Sequence, residues 1–447
     1  MPRYEFTEGS SSKFWEITLE GTTLTKRWGR IGTDGQEKVE EFDSKAEAKK
    51  AYEAQVHEKV RKGYTLAESG DSDGAEATAE SAVDPDLEAA ILAKPDDAKG
   101  YLAYAEWLEG EGDPRAELIR LQHSVLGAPS ASRKEIAKLI EDHAGELLGE
   151  SLAEAVSDET LKLEWHLGYI REARLGQVDY DSEANIPDLL AELLAHPSAR
   201  FLSRLTLGMA SFDGENDYDE TLEALAKAKP APPLRSLFIG DFEFPDETEI
   251  SWTQVGDLKP LYKVYPQLQE LRVRGGEIGF GKIDLPELRS FTVETGGLHQ
   301  GAVKEIVKAK WPKLESLEIW FGQENYGASG GVKDLKPLLD AEGVPALRKL
   351  GLRNSEFTDE LCAALPKSKI LAQIEELDLS MGTMSDAGAD TLAQNAKAFA
   401  HLKTLDVTQN FLTKAGQKTV ANVVKSVASG NQRTPYDEES RYAAVGE

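Results

Sequence analysis

Few residues in this sequence are typed and spaced for covalent chemistry. The seven histidines, His57, His123, His143, His166, His196, His299 and His401, are scattered, and none stands in an HExxH or comparable ligand spacing. Cys362 is the sole cysteine, and there is no P-loop, no GxGxxG after a strand and no GxSxG. A nucleophile, a metal set and a phosphate cradle are all missing, so a non-enzyme without a cofactor or metal is expected. Carboxylates abound, but among 79 acidic residues a nearby pair has little diagnostic weight. What remains is recognition chemistry, carried by aromatic faces and guanidinium groups.

Two sets of residues could supply it. In Lys26-Arg27-Trp28-Gly29-Arg30 an indole can stack on a base or sugar and guanidinium can pair bidentately with phosphate. A structural reading stands beside this one: Trp28 fills a small core and Arg30 pairs with Glu37, Glu40 or Glu41. The second set is Phe238, Arg272, Arg274, Trp320 and Arg353, which flank recurring leucines and therefore share one strand face. Aromatic and arginine side chains are the usual anchors of protein interfaces, so these residues predict a protein-binding patch. Its alternative is that the loop over residues 322–331 folds across Trp320 and buries it.

Charge separates the regions that hold the two sets. The 447 residues carry a formal net charge of -28, yet residues 1–67 contain 12 basic and 12 acidic side chains, so the acidity lies entirely beyond them. Phosphate binding is thereby excluded for most of the chain and left open for its start. Residues 68–88 hold eight acids, no base and no aromatic, the composition of a flexible linker, which we extend to residue 95. No run of about 18 apolar residues exists to span a membrane, and the start has no secretory pattern. A single cysteine fits a reducing cytoplasm.

The elements follow from pattern. Phe14, Glu16, Thr18, Thr25 and Arg27 interleave with Trp15, Ile17, Leu19, Leu24, Lys26 and Trp28 around Glu20-Gly21, a hairpin, and Ser44 can cap a helix from about residue 45 to 61. With Tyr4, Phe42 and Lys62-Gly63-Tyr64, residues 1–67 resemble a WGR domain, the module found in poly(ADP-ribose) polymerases and in standalone bacterial proteins. The resemblance implies a small α+β fold and, as in the polymerases, contact with DNA ends through Trp28 and Arg30. No room is left for a nucleotide-transferring domain, so ADP-ribosylation is not implied.

Residues 96–164 show amphipathic helices: one capped by Asp96 or Asp97 and stopped by Gly110 and Gly112, one opened by Asp113-Pro114, and a third from Arg133 to Leu148. The stretch from Tyr101 to Gln122 resembles the bacterial repeat-companion domain, a short helical cap with no assigned function. Beyond it, LxxLxL recurs eight times from Leu202/Leu205/Leu207 to Leu402/Leu405/Val407, at spacings of 20 to 34 residues, with a looser copy at Ile170/Ala173/Leu175. Residues 165–427 resemble leucine-rich repeats of the ribonuclease-inhibitor-like kind, which implies an α/β solenoid with helices over 358–365, 385–394 and 413–424 on its convex side. Residues 428–447 read as a polar C-terminal tail. The whole is a multidomain chain, expected to bind an unknown basic protein on the concave face and DNA or protein through the first module. A DNA-end or nick binder with regulatory repeats is the alternative.

Overall fold

A computed structural model describes residues 3–8, 11–30, 36–42, 51–52, 55, 59, 62, 64–66, 83–126, 132–435 and 440–447. The chain divides into two compact units, residues 1–81 and 82–447. In the first, strands β1 (Arg3–Glu8), β2 (Ser11–Glu20), β3 (Thr23–Arg30), β4 (Gln36–Glu41) and β5 (Thr65–Leu66) form one sheet in the order β4-β3-β2-β1-β5. The hairpin falls where the pattern puts it, with Trp15 opposite Trp28 and Glu20 opposite Thr23. Gly21 supplies the positive φ of the turn. Trp15, Ile17 and Leu24 are buried on one face, with Tyr4, Trp28, Phe42, Ala51, Tyr52 and Tyr64 packed around them. Residues 51, 52, 55 and 59 are helical, and the remainder of the expected helix lies outside the described residues.

In the second unit, helices α1 (Pro85–Ala93), α2 (Ala98–Gly110), α3 (Arg115–Ser124), α4 (Ser132–Asp142) and α5 (Ala144–Ser157) precede a long sheet. The linker therefore ends sooner than residue 95. Asp84 accepts from the amides of Asp86 and Leu87 to cap α1, and Ile91 is fully buried among Tyr101, Tyr104 and Leu108. Residues 68–82 lie outside the described residues. The third expected helix breaks at His143 into α4 and α5, and α5 is itself kinked at Gly149, whose φ is 76°.

The sheet has eleven strands, β6 (Leu161–His166), β7 (Tyr169–Leu175), β8 (Arg204–Leu207), β9 (Ser236–Ile239), β10 (Glu270–Arg274), β11 (Ser290–Glu294), β12 (Ser316–Gly322), β13 (Lys349–Ser355), β14 (Glu376–Asp378), β15 (Thr404–Asp406) and β16 (Val427–Ala428), in sequential order. Only β6 and β7 are antiparallel. Leu205, Leu237, Leu271, Phe291, Leu317, Leu350, Leu377 and Leu405 stand in register as one ladder. All are buried in a continuous core, each contributing roughly 1.5–3 kcal/mol. Helices over Thr358–Ala364, Asp386–Gln394 and Lys414–Val420 join that core through Leu361, Leu392 and Val420. The last stops at Val420 rather than residue 424.

Two further expectations are corrected. The helical region is not a separate domain, because Leu118, Leu147, Leu148 and Leu152 share the core of the strands; α5 shields the first repeat by fusing with it. Nor are residues 428–447 a polar tail throughout. Ala428 pairs in β16, and Ala443 and Val445 are buried.

Candidate functional site

In the first unit the motif lies on β3, where alternation divides it. Lys26 and Trp28 share the face of Ile17 and Trp15, their partners in register, while Arg27 stands opposite Glu16 on the other. Trp28 packs, half-buried, on the core cluster. Lys26 Nζ donates to Glu40 Oε2 at 2.8 Å, and Lys38 approaches the other oxygen at 2.6 Å. Hydrogen bonds from Lys26 and then Lys38 hold the Glu40 carboxyl down to about 2. Arg27 lies 3.7 Å from Glu16. Gly29 stands opposite Phe14, and Arg30 ends the strand with its side chain outside the described residues. The positive charge of Lys26 and Arg27 is thus met by acids within the module, and the expected pairing of Arg30 with Glu37, Glu40 or Glu41 lies outside the described residues.

On the repeat sheet the five residues of the second set do come together. Phe238, Arg272 and Glu318 occupy one row across the strands, and Trp320 stands beside Arg353 in the next. The Arg272 guanidinium lies 4.2 Å from the Phe238 ring centre, and that of Arg353 lies 5.1 Å from Trp320. Arg274 and Trp320 line the same open groove of about 420 Å³ with Phe242, Phe244 and Ile250. Trp320 is half-buried against a cluster of Met209, Phe242, Ile250, Met381 and Val445, so residues outside the 322–331 loop cover it.

Each arginine also has an acid. Arg272 and Arg274 donate to the two oxygens of Glu294 at 2.7 and 2.6 Å, and Glu294 is buried. Arg353 donates to Glu318 at 2.6 Å and lies 3.2 Å from Asp378, while Trp320 Nε1 donates to the same Glu318 oxygen at 2.7 Å. Burial raises the Asp378 carboxyl above its ordinary value against the pull of Arg353. Glu294 and Glu318 orient the cations and hold them still. Glu294 escaped the sequence reading although it follows Val293 at the same strand position as Arg274 does Val273, a pairing that register alone would have revealed.

The described histidines serve local structure where their contacts are resolved. His196 and His299 cap helical turns through Nδ1, and His401 meets the Leu371 carbonyl at 2.7 Å. His57 lies outside the described residues. Among the described residues no group of three or more His, Cys, Asp or Glu could hold a metal ion, and no helix is long and apolar enough to cross a membrane.

Comparison with known proteins agrees with the first module. Residues 2–71 match the WGR domain. Over 64 residues the chain is 36% identical to Protein YehF of Escherichia coli K12, covering 14% of this chain and 23% of that protein. It is 32% identical over 62 residues to the uncharacterized protein YfeS of the same organism, covering 14% and 25%. The chain thus spans about a quarter of the length of these relatives. The crystal structure of a Bacteroides fragilis protein superposes over 100% of this chain and 99% of its own, with a TM-score of 0.55 and 22% identity, a likeness of fold. A Listeria monocytogenes internalin superposes over 58% of this chain and 59% of its own with a TM-score of 0.31 and 15% identity.

Proposed function

We propose that the chain is a bacterial, cytoplasmic, non-enzymatic adaptor whose leucine-rich-repeat solenoid, capped by a repeat-companion helical region, binds a protein. The WGR module binds nucleic acid or a second protein. The observation that carries this reading is the strip Phe238, Arg272, Arg274, Trp320 and Arg353, two half-exposed aromatic rings each held beside a guanidinium. Such pre-set anchors lose little rotamer freedom when a partner arrives. Acids at Glu318, Glu376, Asp378 and Asp406 continue the face and favour a basic partner.

The test is capture of a binding protein by the full chain and by its Trp320→Ala and Arg274→Ala variants, with melting curves as folding controls. Loss of capture at unchanged stability is expected; unchanged capture would sink the patch. DNA binding by the WGR module is read separately, by anisotropy with blunt and nicked duplexes at low salt. Binding weakened by Trp28→Ala and Arg30→Ala is expected if the motif touches DNA, and no binding removes nucleic acid from the reading.

A further inference from the structure

Beside the aromatic groove, residues 441–447 lie along the rim of the repeat sheet, and the contacts they make are those of a bound peptide. Ala444 N donates to the Met381 carbonyl at 2.8 Å. Asn354 reads both sides of one residue: its Oδ1 accepts from Val445 N at 2.9 Å and its Nδ2 donates to Val445 O at 2.7 Å. Gln323 Nε2 donates to Ala443 O at 3.0 Å. These bonds address the main chain, which is how an extended segment is recognised with side-chain pockets left to discriminate. Val445 fills such a pocket, within the cluster of Met209, Phe242, Ile250 and Met381.

The floor demands small residues. A Cβ on Gly296 would stand 1.8 Å from the Gly446 carbonyl oxygen, and all three of its nearest atoms belong to Gly446. A buried asparagine bonded to both the N–H and the carbonyl of Val445, and a bare glycine beneath Gly446, make a seat shaped to a backbone.

The occupant is imperfect at one point. Glu447 accepts from Tyr326 Oη at 2.5 Å. Glu249 Oε2 is buried nearby with no hydrogen-bond partner, and its carboxyl is raised by burial first and by Glu447 second. Glu447 is thus a second acid within electrostatic reach of the buried Glu249 oxygen, where a base would be attracted.

We propose that residues 441–447 are a built-in occupant of a peptide seat, and that a partner displaces them with an extended segment of small apolar residues and glycine followed by a basic residue. The inference rests on the reading that this face binds a protein, and it names that partner's chemistry. The open groove of Phe242, Phe244, Ile250 and Trp320 adjoins the seat through the same apolar cluster, so one segment can use both.

The test uses the full chain with Val445→Asp, which places a charge in the apolar pocket and releases the segment; Gly446→Val serves if that chain does not fold. Two fluorescein-labelled peptides spanning residues 440–447, one natural and one carrying Glu447→Lys, are titrated by anisotropy. Both are expected to bind the released chain at least tenfold tighter than wild type, the Glu447→Lys peptide tenfold better than the natural one. Adding Gly296→Ala to the released chain is expected to abolish binding without changing its melting curve. No binding to a folded released chain overturns the seat, as does equal binding to wild type. Equal affinity of the two peptides overturns the basic residue, and dimerisation of the released chain without peptide uptake overturns the partner in favour of a second copy. If the peptides fail while Trp320→Ala still abolishes protein capture, the seat falls and the adaptor reading stands.

Discussion

Strand β3 of the WGR module and the rows of the repeat sheet both place an aromatic ring among cations and acids, and they divide the work differently. In the module the sheet has five strands and a small core, so Trp28 joins that core while it shares its face with Lys26. In the repeats a ladder of leucines supplies the core, and the rows between them are relieved of it. Phe238 and Trp320 then stay half-exposed, each beside a guanidinium, Arg272 or Arg353. A motif in a small domain serves fold and function at once; a repeat separates them by strand alternation.

The largest test of that division is Glu294→Ala. It leaves Arg274, 17% exposed, and Arg272, 43% exposed, without their shared buried acid, and a loss of roughly 2–3 kcal/mol is expected by denaturant unfolding, most of it from Arg274. A loss below about 1 kcal/mol would mean that water already serves these cations. Next comes Trp28→Ala, expected to lower the stability of the module by about 2 kcal/mol, less than the roughly 3–5 kcal/mol of a fully buried aromatic. Phe238→Ala is expected to cost only about 0.5–1 kcal/mol while weakening partner capture. If the two aromatic substitutions cost the same, the distinction between a core ring and a presented ring fails.

Much of this arrangement was legible in the sequence because strand alternation and a repeated LxxLxL are local signals. The hairpin partners Trp15 and Trp28 follow from it, as does the ladder from Leu205 to Leu405. What escaped was set by long-range pairing. Asn354 meets Val445 across 91 positions, and no periodicity announces such a bond. Helix α1 was missed because its acids suit a linker, although Asp84-Pro85 is a helix start and Ile91 follows Leu87 by one turn. Val445 looked like part of a polar tail because an isolated valine gives no pattern.

The smallest expected effect bears most directly on nucleic acid. Glu40→Gln removes the acid that bonds Lys26, and such a part-exposed pair contributes about 0–1 kcal/mol. Its pH dependence has a definite sign. The carboxyl is held at about 2 against an ordinary 4.5, so the unfolded chain binds the proton more readily. The stabilisation is present above about pH 4.5 and disappears as pH falls toward 2, and the wild-type and Glu40→Gln melting curves should converge over that window. Near neutral pH the same substitution releases both Lys26 and Lys38, a net gain of one positive charge on the face of Trp28. If that face meets phosphate, DNA affinity at low salt rises and the salt slope steepens by about one. An unchanged slope would show that Lys26 belongs to the fold of the module as Trp28 does.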